Sequence, residues 1–156
     1  MKVRKRMFFT ATVVALAAVL AFGGTALAGK PGTGSVRMAT LTGAEVVPPS
    51  SGDIDGIGQV KMTLYPNKNK ICYTIQAENI AKAKSAHLHE APAGQNGPVK
   101  LNLLTPRADG ETWHECIRGL GERFIKKIGR NSSKYYVGVH TVEPNGDIRG
   151  QLSREP

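Results

Sequence analysis

Apolar residues recur at every second position through most of this chain, in short runs. In GQVKMTLY (58–65), Val60, Met62 and Leu64 alternate with Lys61, Thr63 and Tyr65. Successive side chains of a strand point to opposite faces, so this pattern predicts a strand with one buried and one polar face. Similar runs occupy 36–41, ICYTIQA (71–77), AHLHE (86–90), VKLNLL (99–104), YYVGVHTV (135–142) and DIRGQL (147–152). Turn residues punctuate them every ~8–12 positions. PNKNK (66–70) predicts one hairpin loop and EPNGD (143–147) another, with Asn145-Gly146 supplying positive φ angles. One segment has a different period: Leu120, Phe124, Ile125 and Ile128 lie at helical spacing and Gly129 follows, which predicts a short helix over 119–129. About seven to eight strands with one short helix predict an all-β fold, a β-sandwich or Greek-key barrel, in one domain spanning 36–154.

The N-terminus departs from this alternation. Lys2, Arg4, Lys5 and Arg6 precede an apolar run from Met7 to Phe22, and Ala26-Leu27-Ala28 supplies a small-residue exit. This is the layout of a secretory signal peptide, and the expected products are a leader over 1–28 and a flexible lead-in over 29–35. A retained membrane anchor is the other reading, for which the apolar run is short. Without residues 1–28, which carry four of the 21 basic residues and none of the 12 acidic ones, the net charge falls from +9 to +5. The remaining cations are scattered apart from ERFIKKIGR (122–130). That excess suits solubility or an anionic surface, and nothing in it points to nucleic acid. The expected location is secreted, periplasmic or cell-envelope, with no stable membrane span after cleavage.

Cys72 and Cys116 are the two cysteines. Export implies an oxidising compartment, where such a pair is expected to form a disulfide. Two buried thiols, or a Cys/His metal site involving His114, are the alternatives.

The candidate chemistry lies in SAHLHEAPAGQNGP (85–98). If Leu88 faces the core, His87 and His89 together face outward. In YYVGVHTV the same reading places Val137 and Val139 inward, and Tyr136, Gly138 and His140 outward. Histidines two apart on one strand face stand ~6.5–7 Å apart at Cα, close enough to share one ion. A third imidazole from an adjacent strand completes a site suited to copper or zinc. Gly138 leaves room beside such a site, and the Gly- and Pro-rich segment 91–98 arches over it. Outward histidines that bond only water or loop carbonyls are the other reading. Glu90 is a candidate outer partner of a ligand imidazole.

LTGAEVVPP (41–49), G-x-G-x-V at 56–60, ICYTI (71–75), AHLHEAPAGQNGPV (86–99), YYVGVHT (135–141) and GDIRGQL (146–152) together resemble the CHRD domain, named for chordin, over about 38–152. The resemblance implies a secreted or cell-envelope domain with an immunoglobulin-like β-barrel and no settled biochemical function. Behind it lies a looser likeness to the Cu,Zn superoxide dismutase fold. By that likeness His87, His89 and His140 correspond to copper ligands, while no histidine stands at the place of the bridging ligand and the zinc-binding loop is missing. Arg149 is the nearest counterpart of the arginine that guides superoxide.

No hydrolytic set is visible. Asp53 and Asp55 in SSGDIDGIG read as a turn rather than a calcium loop. Tyr135, Tyr136 and Trp113 mark either a binding face or packing. Two functional readings follow, with no catalytic residues expected in the first: a non-catalytic module that binds a protein or polymer, and a copper-binding or zinc-binding protein with weak redox activity at His87, His89 and His140.

Overall fold

The computed structural model describes residues 34–103 and 112–154. The expected leader over 1–28, most of the lead-in and Leu104 lie outside the described residues. Among the described residues nine strands are formed: β1 (Ser35–Thr42), β2 (Ile57–Tyr65), β3 (Lys70–Glu78), β4 (Ala83–Glu90), β5 (Val99–Leu103), β6 (Thr112–Arg118), β7 (Tyr135–Thr141), β8 (Ile148–Gln151) and β9 (Ser153–Arg154). They pair antiparallel in the order β5-β4-β7-β8-β1-β2-β3-β6, with β9 added to β1. The fold is therefore all-β. The sheet curls over one core: Leu88, Val137, Val139 and Ile148 from one half join Val60, Met62, Leu64, Ile71, Tyr73 and Ile75 from the other in a single buried cluster.

The alternation in the chain accounts for this arrangement. Val60, Met62 and Leu64 are fully buried while Gln59 and Lys61 are exposed. Burying one such side chain stabilises by about 1.5–3 kcal/mol, and slipping a strand by one residue would reverse every side chain at once. The inward anchoring of Leu88, Val137 and Val139 therefore fixes the opposite face for His87, His89 and His140.

The expected helix forms as α1 (Glu122–Arg130), a residue beyond the predicted stop, with Ile125 and Ile128 buried and Phe124 packed against the core. Gly129 lies within its last turn, and its carbonyl accepts a hydrogen bond from buried Arg37, which also donates to Ser132 Oγ at 2.8 Å.

Three local expectations change. Neither Asn145 nor Gly146 has a positive φ. Gly146 serves instead by its size, since a Cβ there would stand 2.1 Å from Thr141 Oγ1. Left-handed non-glycine residues stand elsewhere, at Asn69 of the PNKNK hairpin (φ 48°) and at Asn79 (φ 57°). β6 and β9 have no counterpart among the predicted strands. β9 is two exposed residues, and β6 is an end strand with no buried residue, so no apolar alternation marks either.

Cys72 and Cys116 stand opposite each other on β3 and β6 and form the disulfide. It lies on the outer face of β3, opposite to Ile71, Tyr73 and Ile75 in parity. His114 stays outside any Cys/His site, its Nδ1 3.3 Å from Thr74 Oγ1. Tyr135 and Trp113 pack with the core rather than forming an exposed binding face. Asp53 Oδ1 accepts from the backbone N–H groups of Asp55 and Gly56, at 3.3 and 3.1 Å, which is a turn. No described helix is long and apolar enough to cross a membrane.

Candidate metal centre

The pairing of β4 with β7 assembles the site. His87 lies opposite Gly138, His89 opposite Tyr136, and Ser85 opposite His140. One ring nitrogen from each of His87, His89 and His140 lies within 4.8 Å of the others. Three such atoms always have a common point no more than ~2.8 Å from each, against metal–imidazole bonds of ~2.0–2.1 Å. Less than 1 Å of adjustment per ring would close a coordination shell (about 0.7 Å). No other group of three or more histidines, cysteines and acids among the described residues offers such a convergence.

Two hydrogen bonds settle which nitrogens are available. His89 Nδ1 lies 2.9 Å from the Gly97 carbonyl, which can only accept, so Nδ1 carries the proton. His140 Nδ1 lies 2.7 Å from Asp147 Oδ2 and donates in the same way. Neutral rings so held present bare Nε2 lone pairs. Both point to one spot: a Cβ on Gly138 would stand 3.4 Å from His140 Nε2 and 3.8 Å from His89 Nε2. A carboxylate and a carbonyl on the far ring nitrogens are the outer partners that metal-binding histidines commonly have.

The face is closed only at His89. The segment 91–98 bonds it through the Gly97 carbonyl, and His89 is 9% exposed with a buried Nε2 that has no hydrogen-bond partner among the described residues, while His87 and His140 are half-buried. Burial is the largest cause holding His87 below the ordinary histidine value of 6.5, followed by its neighbours His140 and His89. His89 is lowered chiefly by burial and further by His140 and Arg149, against the opposing bond to Gly97. Both rings are therefore kept neutral, the form that ligates a metal.

These shifts give a testable pH dependence. A histidine lowered in the folded state binds its proton more readily when unfolded, so stability falls as pH drops through the unfolded value near 6.5 and levels off below the folded one. Melting temperatures of the metal-free protein are expected to decline over that window. The decline should flatten in a His87→Ala/His89→Ala variant; an unchanged slope would contradict the assignment.

Glu90 does not have the role expected of it. It points to the face opposite the histidines, where Lys100 and Lys127 hold its carboxylate at 3.2 and 2.5 Å. The groups that hold the far ring nitrogens are Gly97 and Asp147 instead. Asp147 was legible in principle: Val139 pairs with Ile148, so His140 and Asp147 are adjacent across the terminal hairpin. Nothing in local sequence marks Gly97. Arg149 does not stand free to guide an anion either. It is 4% exposed and donates to the carbonyls of Gln95 and Pro92 at 2.8 and 3.3 Å. Asp147→Asn is expected to weaken metal binding by ~10–100-fold with little change in folding, since the amide can reverse the hydrogen bond and the tautomer. Isothermal titration of the two proteins measures this.

The CHRD domain family model matches residues 38–152. The chain belongs to the CHRD domain family. No curated protein and no solved structure matches it. The match covers β2 through β8 entirely and most of β1, so all three histidines of the site lie within the CHRD domain.

Proposed function

We propose that this CHRD domain is an exported, non-catalytic binding module whose ligand is a copper ion, held by His87, His89 and His140. The observation that carries this reading is His89 Nε2, buried without a partner on a ring whose other nitrogen is already engaged by Gly97. An orphaned buried acceptor costs about 1–3 kcal/mol, and a metal ion aimed at by two further imidazoles removes that cost. Copper is favoured over zinc because divalent copper binds nitrogen sites more tightly in the Irving–Williams order, and imidazole also serves monovalent copper.

The site lies on a groove of about 400 Å³ whose walls include Val47, Asn96 and Pro144. Lining that includes His89 and His140 gives an ion there a route for ligand exchange. Storage, sequestration or delivery of copper suits this better than rapid dismutation. The chain has no histidine between His89 and His114 to bridge a second metal, and Arg149 is engaged by loop carbonyls. Export is supported by the leader pattern over 1–28 and by the disulfide, which persists in oxidising compartments.

The test is the metal content of the purified exported protein, followed by titration with Cu(I), Cu(II) and Zn(II). One equivalent of tightly bound copper is expected. Zinc bound more tightly than copper would reassign the ion, and no binding of either would leave the module without this ligand.

A further inference from the structure

We propose that Arg149 is a positioning residue for the metal, a latch that fixes the segment 91–97 so that His89 is held ready to ligate. This rests on the copper reading. On β8 Arg149 pairs with Gly138 of β7, and its guanidinium reaches outward under the loop. It donates to the Gln95 carbonyl at 2.8 Å, the Pro92 carbonyl at 3.3 Å and Asn96 Oδ1 at 3.4 Å. Its Cζ also lies 3.5 Å from the centre of the Tyr136 ring. Asn96 extends the tie by donating to the Val47 carbonyl at 2.8 Å.

Both elements that Arg149 holds in turn hold His89. The next residue of the loop, Gly97, accepts from His89 Nδ1 through its carbonyl and donates its N–H to the Tyr136 hydroxyl at 3.3 Å. Tyr136 stacks on the His89 ring at 4.6 Å between centroids and 3° between planes. The ring is thus fixed in plane by a carbonyl and in tilt by an aromatic face. Lysine cannot replace this arrangement, because one ammonium does not present a planar fork to several acceptors while lying flat on a ring.

The latch and simple electrostatics predict opposite signs. A buried cation close to a metal site repels the ion, so removing its charge should tighten binding if charge is all that matters. The latch predicts weaker binding. The experiment compares the full exported chain with Arg149→Met, Arg149→Lys and Asn96→Ala by copper titration. It also records nitrogen-15 spectra of the His89 ring in the metal-free proteins at alkaline pH. Arg149→Met and Arg149→Lys are expected to bind copper ~10–100-fold more weakly, as loss of an outer-shell contact typically does. Asn96→Ala should move in the same direction by a smaller factor. The metal-free wild type should show one His89 tautomer with the proton on Nδ1, and the Arg149 variants a mixture.

Copper binding unchanged or tightened in folded Arg149→Met would overturn the latch, as would a single unaltered tautomer. Should the Arg149 variants not fold, exposed Asn96 carries the test through the same two readings. If the wild type binds no copper, the copper reading fails by itself and the His89 tautomer alone decides on the latch.

Discussion

Stoichiometric copper binding is expected to disappear in the His87→Ala/His89→Ala/His140→Ala variant, and among single substitutions His89→Ala is expected to have the largest effect. Each ring supplies one of three convergent nitrogens, so each loss removes a coordinate bond. The cost should exceed the ~100-fold upper range seen when only an outer partner is lost. His89 leads because it is the most constrained: Gly97 fixes its tautomer, Tyr136 fixes its plane, and burial keeps it neutral. Constraint before binding reduces the entropy that must be lost on binding. His87 is more exposed than His89, and no side chain or carbonyl among the described residues fixes its ring by a hydrogen bond, so its replacement should matter least. Titration with a competing chelator measures all four proteins, with circular dichroism confirming that they fold. Copper retained at one equivalent in the folded triple variant would place the ion elsewhere and end the assignment.

The second large effect concerns stability. Replacing Cys72 and Cys116 together by alanine is expected to destabilise the domain by ~4 kcal/mol, from the chain entropy regained by a loop of 44 positions. For a domain of this size that corresponds to a fall in melting temperature of roughly 10–20 °C. The bridge ties β6 to β3. β6 is the end strand of the sheet and has one paired neighbour. Loss of the bridge should loosen β6 first, visible as faster amide exchange from Thr112 to Arg118 than in β2. The three histidines lie on β4 and β7, away from this edge, so the copper affinity proposed for them should change little in the folded variant. A drop below ~1 kcal/mol would mean that the unfolded chain is already compact around the two cysteines.

Much of this molecule is legible in the chain. Alternation at Val60, Met62 and Leu64, at Leu88, and at Val137 and Val139 determines which residues enter the core, because a strand has only two faces and burial chooses between them. The same parity sends His87, His89 and His140 outward together. The helix at 122–130 follows from its own period, and the disulfide from the count of cysteines and the compartment. β6 escaped because an edge strand half open to solvent carries no clear pattern: of its residues, Trp113 and Ile117 pack only partly against the core.

Tertiary structure decided what surrounds those outward histidines. Which strands become neighbours depends on how the sheet closes, and β4 meets β7 across a separation of about fifty residues that no local period encodes. Parity alone left the face wet. The loop from Ala91 to Pro98 closes over His89, because Arg149 and Gln151 donate to its backbone carbonyls at 2.8–3.3 Å and the Asn96 side chain ties it to the Val47 carbonyl at 2.8 Å. Parity could likewise have excluded Glu90, which shares Leu88's face, yet only the fold supplied Gly97 in its place. A carbonyl is present in every residue, so sequence cannot mark the one that becomes a partner; packing does, by bringing it within 2.9 Å of a ring nitrogen.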